Sequence, residues 1–129
     1  MPILPAFEIP DTAAALPVDD SSFFIAFLSS KDPATQQPWC PDVRATLPTL
    51  EATFQRDESP TAAFVEVGQR AEWRDPSNVF RTKWNVHNVP TLVRFQRVGD
   101  SVKEVGRLTE GEIMDAERLQ RLVSGEGAL

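Results

Sequence analysis

The chain of 129 residues is 41% hydrophobic and carries 13 basic against 19 acidic residues, which gives a formal net charge of −6. This length and hydrophobic content are typical of a globular protein with one core, so we expect a single domain over residues 1–129. The negative charge and the scattered Lys and Arg argue against nucleic acid and anionic membranes as partners, because both require clustered positive charge.

The cysteine content and the N-terminal residues favour a cytoplasmic location. The single cysteine cannot form a disulfide within the chain, and the sequence contains no Asn-X-Ser/Thr glycosylation site. Residues 1–5 contain two prolines and no basic residue, unlike a secretory signal peptide. No apolar stretch reaches the length of a membrane span. We therefore expect a reducing compartment, in which an accessible thiol stays free.

The N-terminal third is organised around one strongly apolar segment. Residues 22–28 read Ser-Phe-Phe-Ile-Ala-Phe-Leu, a run typical of a strand buried on both faces, so we expect it at the centre of a sheet. Before it, residues 6–9 indicate a short edge strand, and residues 10–16 indicate a short helix that Pro17 ends. Residues 29–38 are polar with two prolines and predict a loop leading to the cysteine.

Cys40 lies at the start of a predicted helix over residues 41–56. Pro48 lacks an N–H and predicts a break or a kink in this helix. The free N–H groups and the positive end of the helix dipole favour the thiolate form of a cysteine at this position. Cys40 is therefore either a nucleophile or, as lone cysteines more often are, a small buried apolar residue. Apolar residues recur at helical spacing along the segment, at Val43, Leu47, Leu50 and Phe54.

The middle of the chain predicts a second buried strand and a second helix. Residues 62–67 are apolar and end before a glycine, as expected of a strand in the same sheet. Asp75-Pro76 has the pattern of an N-cap followed by proline at the first helical position. It predicts a helix of about two turns with Phe80 and Trp84 on one face.

The C-terminal region predicts a β-hairpin and a final helix. Residues 89–95 form a strand with proline near its start, where proline is tolerated at an edge, at a strand start or in a cis turn. Residues 98–101 form the hairpin turn and residues 102–108 the returning strand. The order β-α-β-α-β-α-β-β-α implies an α/β fold with a parallel core and an antiparallel edge. The final helix starts at 109–112, and its apolar stripe consists of Ile113, Ala116, Leu119 or Leu122, and Val123.

Several separated motifs together resemble the thioredoxin family. They are the cysteine at the start of the helix after the central strand, Pro48 eight residues later, and Val89-Pro90-Thr91 before the hairpin. The resemblance implies a thioredoxin fold, in which a central mixed sheet is flanked by helices on both faces. It also implies a kink instead of a break at Pro48, and a cis-proline loop beside the cysteine.

Within this family the match is to the small cytosolic thioredoxin-related proteins with the signature Trp-Cys-Pro-Asp-Cys. Residues 39–42 reproduce the signature, and residues 29–32 and 73–81 also resemble this group. The second cysteine of the signature is Val43 here. We take valine as the native residue, because an engineered cysteine replacement is usually serine or alanine. The resemblance makes Cys40 the nucleophile, and the residues that it implies contact substrate are Trp39, Pro41, Asp42, Val89 and Pro90.

The same resemblance implies that the proton-transfer groups of thioredoxins are missing. Thioredoxins carry a buried aspartate and a nearby lysine that serve the second cysteine, and Ala26 and Phe64 fall near these positions. Asp42 has an alternative role as an acidic residue that complements the helix dipole. His87 is either a proton donor at the groove or, as we favour, a solvated loop residue.

We expect a monothiol disulfide oxidoreductase of the protein-disulfide reductase family. Cys40 would attack disulfides, nitrosothiols or glutathione adducts, and glutathione or another external thiol would complete the cycle. The alternative is a non-catalytic binding module that holds a protein partner in the same groove. No cofactor is implied, and one Cys with one His does not make a metal site. We expect a monomer that can form a Cys40-linked dimer on oxidation.

Overall fold

A five-stranded mixed sheet forms the centre of the computed structural model, which describes residues 3–4, 7–18 and 22–125. Its spatial order is β1-β3-β2-β4-β5. The first three strands in this order run parallel, and β4 and β5 are added antiparallel. The predicted mixed sheet with an antiparallel edge is confirmed. The strands are β1 (Ile3–Leu4), β2 (Phe23–Leu28), β3 (Thr61–Glu66), β4 (Thr91–Val98) and β5 (Ser101–Thr109).

The central strand β2 is buried on both faces, as predicted. Its side chains alternate between the two faces of the sheet. On one face, Phe24 lies against Phe54, with ring centroids 5.1 Å apart. On the other face, Phe27 lies 6.0 Å from Phe80 and 6.3 Å from Trp84. Both faces of the sheet are therefore covered by apolar side chains of other elements, in agreement with the predicted thioredoxin fold.

The helix after the cysteine is a single element. Pro48 lies inside it on the exposed side, and the chain continues helical past it without a break. The buried face of α1 consists of Val43, Thr46, Leu50 and Phe54, which face the sheet. No helix in the described part of the chain is long and apolar enough to cross a membrane. The helices are α1 (Pro41–Phe54), α2 (Arg70–Arg74), α3 (Val79–Thr82), α4 (Glu110–Ile113) and α5 (Ala116–Ser124).

The N-terminal predictions are only partly correct. The edge strand is β1, which pairs with β3, and residues 7–9 form no strand, while residue 6 lies outside the described residues. Phe7 instead places its ring 5.5 Å from the ring of Phe23, so this segment contributes a side chain to the core and no backbone to the sheet. The helix predicted over residues 10–16 is a single 3₁₀ turn, Ala13–Ala15, without a side-chain cap.

The helix predicted to begin at Pro76 is wrong. Asp75 ends α2, and its carboxylate accepts hydrogen bonds from the Ser77 N–H and hydroxyl in a local turn. The Asn78 side chain then accepts from the Phe80 N–H at 2.9 Å, so Asn78 is the N-cap of α3. Trp84 is buried but lies beyond the end of α3. The preceding helix α2 was not predicted.

The single final helix of the prediction is also wrong. Asp115 interrupts it, because its carboxylate accepts from the N–H groups of Glu117 and Arg118 and starts a second helix. Of the predicted stripe, Ala116 is exposed. The buried apolar side chains of this region are Ile113, Leu119 and Leu122.

Candidate functional site

Cys40 occupies the N-cap position of α1 and is half-buried. Its N–H donates to the hydroxyl of Ser29 at 3.2 Å, and its carbonyl accepts from the Arg44 N–H at 3.1 Å. Ser29 follows the last residue of β2 and is buried. The backbone of Cys40 is therefore held between the end of the central strand and the first turn of the helix.

The loop before β4 lies beside the sulfur. The Val89–Pro90 peptide is cis, and both residues are buried. Cys40 Sγ lies 3.8 Å from the carbonyl oxygen of Val89. Strand register explains this contact, because Thr91 at the start of β4 pairs with Phe27 near the end of β2, immediately before the loop that leads to Cys40. The structure thus brings together Cys40, Val89 and Pro90, which are distant in sequence.

Trp39 is tied to the loop that follows β3. Its backbone N–H donates to the Ser30 carbonyl at 3.2 Å, and its indole Nε1–H donates to the Gly68 carbonyl at 2.9 Å. Gly68 has φ +112°, a conformation that L side chains rarely adopt, and its N–H donates to the Ser30 hydroxyl at 2.9 Å. The guanidinium carbon of Arg70 lies 4.8 Å from the centroid of the Trp39 ring. Trp39 is therefore fixed by two loops.

Three residues of this arrangement were not assigned a role from sequence. The Ser29 hydroxyl accepts from the Cys40 N–H, and the Gly68 carbonyl accepts from the Trp39 indole N–H. Arg70 contacts the face of the Trp39 ring. The serine lies in a motif used for the family resemblance, and the glycine marks the end of a strand. No sequence pattern indicates the pairing of Arg70 with Trp39, since it spans 31 residues.

The positions around the sulfur contain neither a second thiol nor the proton-transfer pair of thioredoxins. Val43 is fully buried in the first turn of α1. Ala26 is also fully buried, and it pairs directly with Phe64 across β2 and β3. Apolar side chains therefore occupy all three positions at which the resemblance placed the resolving cysteine, the buried acid and the lysine.

The remaining predicted site residues lie at the surface. Pro41 and Asp42 are exposed at the start of α1. His87 is exposed, and its Nε2 lies 2.7 Å from the Asn85 side-chain oxygen. Within the described ranges, no group of three or more His, Cys, Asp or Glu side chains is placed to hold a metal ion.

Asp75, at the end of the helix that begins with Arg70, has a lowered carboxyl pKa. The N–H and the hydroxyl of Ser77 lower the pKa of Asp75 below its usual value, because both hydrogen bonds favour the ionised form. This turn ends α2, and Asn78 then bonds back to the carbonyls of Val67 and Glu72. Local hydrogen bonds therefore hold the segment that positions Gly68 and Arg70.

The sequence matches one family model and several known proteins. Residues 8–124 match the family model described as thioredoxin domain-containing protein 17-like, thioredoxin domain. A thioredoxin domain-containing protein of Schizosaccharomyces pombe is 32% identical over 121 residues, which cover 94% of this chain and 98% of the relative. Human thioredoxin domain-containing protein 17 is 34% identical over 104 residues, covering 80% of this chain and 78% of the human protein.

Solved structures support the fold. Trichomonas vaginalis thioredoxin superposes with a TM-score of 0.57 and 14% sequence identity, over 96% of each chain. Plasmodium falciparum thioredoxin superposes with a TM-score of 0.53 and 16% identity, over 80% of this chain and 72% of that chain. At these identities the likeness concerns the fold alone.

Proposed function

The chain belongs to the thioredoxin domain-containing protein 17-like family, and from this premise we propose that it is a monothiol thiol-disulfide oxidoreductase. The observation that carries the proposal is the half-buried Cys40 at the start of α1, with its sulfur 3.8 Å from the Val89 carbonyl of the cis-proline loop. A cysteine in this position can attack, as its thiolate, a disulfide bound along the loop.

The reaction consists of three exchanges, of which the first two take place at Cys40. In the first, the Cys40 thiolate attacks one sulfur of a substrate disulfide, the substrate S–S bond breaks, and the other sulfur leaves as a thiolate. In the second, an external thiolate of the glutathione class attacks the mixed disulfide and releases Cys40 as a thiolate. A further glutathione then frees the remaining substrate thiol. The net change is one disulfide reduced and two glutathiones oxidised to glutathione disulfide.

Val43 makes the external thiol necessary. A two-cysteine site would release the substrate by attack of its own second thiol, which valine cannot do. Because glutathione is maintained mainly in reducing compartments, we propose that the protein acts in the cytoplasm, as a monomer, on proteins or small molecules that contain disulfides.

Glutathione-coupled reduction of hydroxyethyl disulfide tests the proposal. The wild-type chain should catalyse it at a rate proportional to protein concentration, and Cys40→Ser should reduce the rate to that of glutathione alone. Ser124→Ala in α5 is the control for a substitution that leaves the thiol intact, and it should keep the wild-type rate. Equal rates for the wild type and Cys40→Ser would refute the catalytic proposal.

One observation favours a second function. The Trp39 indole is held by its hydrogen bond to Gly68, Val89 and Pro90 are joined by a cis peptide, and buried Val43 fills the resolving position. This combination favours a module that binds a partner without releasing it by thiol exchange. A Cys40→Ser chain that captures the same protein partners as the wild type, under conditions where neither reduces disulfides, would favour this alternative.

A further inference from the structure

Two arginines from different helices are anchored on the two carbonyls that precede Cys40. Arg44 in the first turn of α1 donates from Nη1 to the Pro38 carbonyl at 2.6 Å. Arg70, the first residue of α2, donates from Nη2 to the Trp39 carbonyl at 3.5 Å and lies over the Trp39 ring. Both guanidinium groups are therefore hydrogen-bonded to the backbone of the two residues that precede the cysteine.

Neither arginine is neutralised by the protein. Among the described residues, Arg44 and Arg70 take no part in any ion pair, whereas Arg107 forms a two-point pair with Glu104. Both are exposed, in a chain whose net charge is −6. A guanidinium has five N–H donors in a planar fork that matches a carboxylate, so most donors of each arginine remain available.

The described acidic groups nearby form no ion pair with Arg44 or Arg70, and these groups include Glu51, which lines the same surface pocket as Arg44. Asp42 is exposed two residues after Cys40 and forms no ion pair with either arginine. Glu72, on the same helix as Arg70, uses Oε1 to accept from the Gln69 N–H at 2.8 Å. A carboxylate arriving with a substrate would therefore meet guanidinium donors that the protein itself does not occupy.

We infer that Arg70, stacked on Trp39 and assisted by Arg44, forms a carboxylate subsite beside Cys40, so that the site prefers thiols and disulfides that carry carboxylates, glutathione and its mixed disulfides among them. The inference rests on the proposed thiol-disulfide exchange. The carboxylate takes no part in the exchange itself; its pairing with Arg70 places the disulfide near the sulfur and raises its local concentration.

The test uses three small disulfides that differ in charge: dithiodipropionate with two carboxylates, neutral hydroxyethyl disulfide, and cystamine with two ammonium groups. The second-order rate constant for the disappearance of the Cys40 thiol is measured for each at low salt. Each rate constant is then divided by that for hydroxyethyl disulfide on the same variant. Because both rates are measured on one thiol, any effect of a mutation on the thiol itself cancels in the ratio.

The three disulfides differ in the pKa of their leaving thiols, so the expected result is a change in each ratio between variants and not a particular order of the three rates on the wild type. Arg70→Gln should lower the dithiodipropionate ratio about three- to tenfold, as expected for removing one charge several ångströms from the anion, and added salt should reduce the difference. Lys103→Gln changes the net charge equally on β5, at the opposite edge of the sheet from β1, and should leave the ratio at its wild-type value. Arg70→Lys, which keeps the charge but lacks the planar fork, should give a ratio between those of the wild type and Arg70→Gln.

Other outcomes would contradict the subsite, the recognition of charge or the exchange chemistry. An unchanged ratio in Arg70→Gln would exclude the subsite, and continued reaction with hydroxyethyl disulfide would leave the proposed exchange chemistry standing. An equal loss in Arg70→Lys and Arg70→Gln would assign the arginine to packing on Trp39 and not to charge recognition. Failure of Cys40 to react with all three disulfides would remove both the proposed function and the subsite.

Discussion

Val43→Cys should restore a resolving thiol and change the stoichiometry of the reaction. The wild-type chain has one cysteine, so reaction with excess dithiobis(nitrobenzoate) should release one nitrothiobenzoate per chain and leave a second bound to Cys40. In Val43→Cys, the new thiol should attack that mixed disulfide and release the second nitrothiobenzoate. The product is then a disulfide between Cys40 and the introduced cysteine, without a bound aromatic group.

The position of Val43 determines whether the new disulfide can close and how much the substitution lowers the free energy of unfolding. Residues three apart on a helix have Cβ atoms about 5–6 Å apart. A disulfide needs its Cβ atoms about 3.5–4.5 Å apart, so closing it requires a small backbone movement in the first turn of α1. Val43 is fully buried, so replacing its branched side chain with the smaller thiol should cost about 1 kcal/mol of the free energy of unfolding. With a urea dependence of about 1–3 kcal/mol per molar, the reduced variant should unfold roughly 0.3–1 M earlier than the wild type.

Absorbance of the released nitrothiobenzoate and the intact mass of the product measure the outcome. Val43→Ala removes side-chain volume without adding a thiol and should release one nitrothiobenzoate, as the wild type does. If Val43→Cys is folded, with the expected small loss of stability, and still retains the bound aromatic group, position 43 does not face the Cys40 sulfur. The assignment of Val43 to the resolving position would then be wrong.

Three further substitutions test other parts of the structure. Gly68→Ala should lower stability by about 1–3 kcal/mol in urea unfolding and alter Trp39 fluorescence, because φ is +112° and the added Cβ would lie 2.8 Å from Glu72 Cβ; an unchanged urea midpoint would refute this. Phe54→Ala should cost about 3–5 kcal/mol, with Phe54→Leu much milder, since the ring is fully buried against β2; equal losses would contradict the packing argument. Glu112→Gln should cost roughly 0.5–1 kcal/mol near neutral pH. Hydrogen bonds from Thr109 lower the pKa of Glu112, so this stabilisation is present above the unfolded-state pKa and is lost as the pH falls through the folded-state pKa. Urea unfolding at neutral and at acidic pH checks it, and a difference that persists in acid would count against it.

The sequence predicts the elements whose side chains form long, regular patterns. The apolar run of β2 and the helical spacing of α1 each specify an element type and a buried face, and the structure confirms both element types and the buried face of β2. On α1, Leu47 is only partly buried, and Thr46 is fully buried instead. The resemblance to thioredoxins was needed to keep α1 whole across Pro48, because the local rule for proline predicts an interruption as readily as a kink.

The predictions of helix boundaries are wrong where a single side-chain hydrogen bond decides between two local structures. Asp115 and Asn78 start new helices by capping backbone N–H groups, and Asp75 closes a turn where its position before proline had suggested a cap. Such bonds leave no periodic pattern in the sequence. The same limit applies to the candidate site. Cys40 and Pro90 are visible as motifs, whereas the hydrogen bond from the Trp39 indole to the Gly68 carbonyl joins residues far apart in the chain.

Because buried Val43 stands where a resolving cysteine would be, the stability of the protein does not depend on the redox potential of its surroundings through an internal disulfide. In a two-cysteine site, the disulfide forms inside the fold, so thermodynamic linkage ties its reduction potential to the difference in stability between oxidised and reduced forms. Here the chain cannot cross-link within itself, and its core around Val43 keeps the same covalent structure under reducing and oxidising conditions. Thiol exchange leaves its product on Cys40, as a mixed disulfide with a small molecule or as a disulfide with a second chain, and an external thiol can reduce either one.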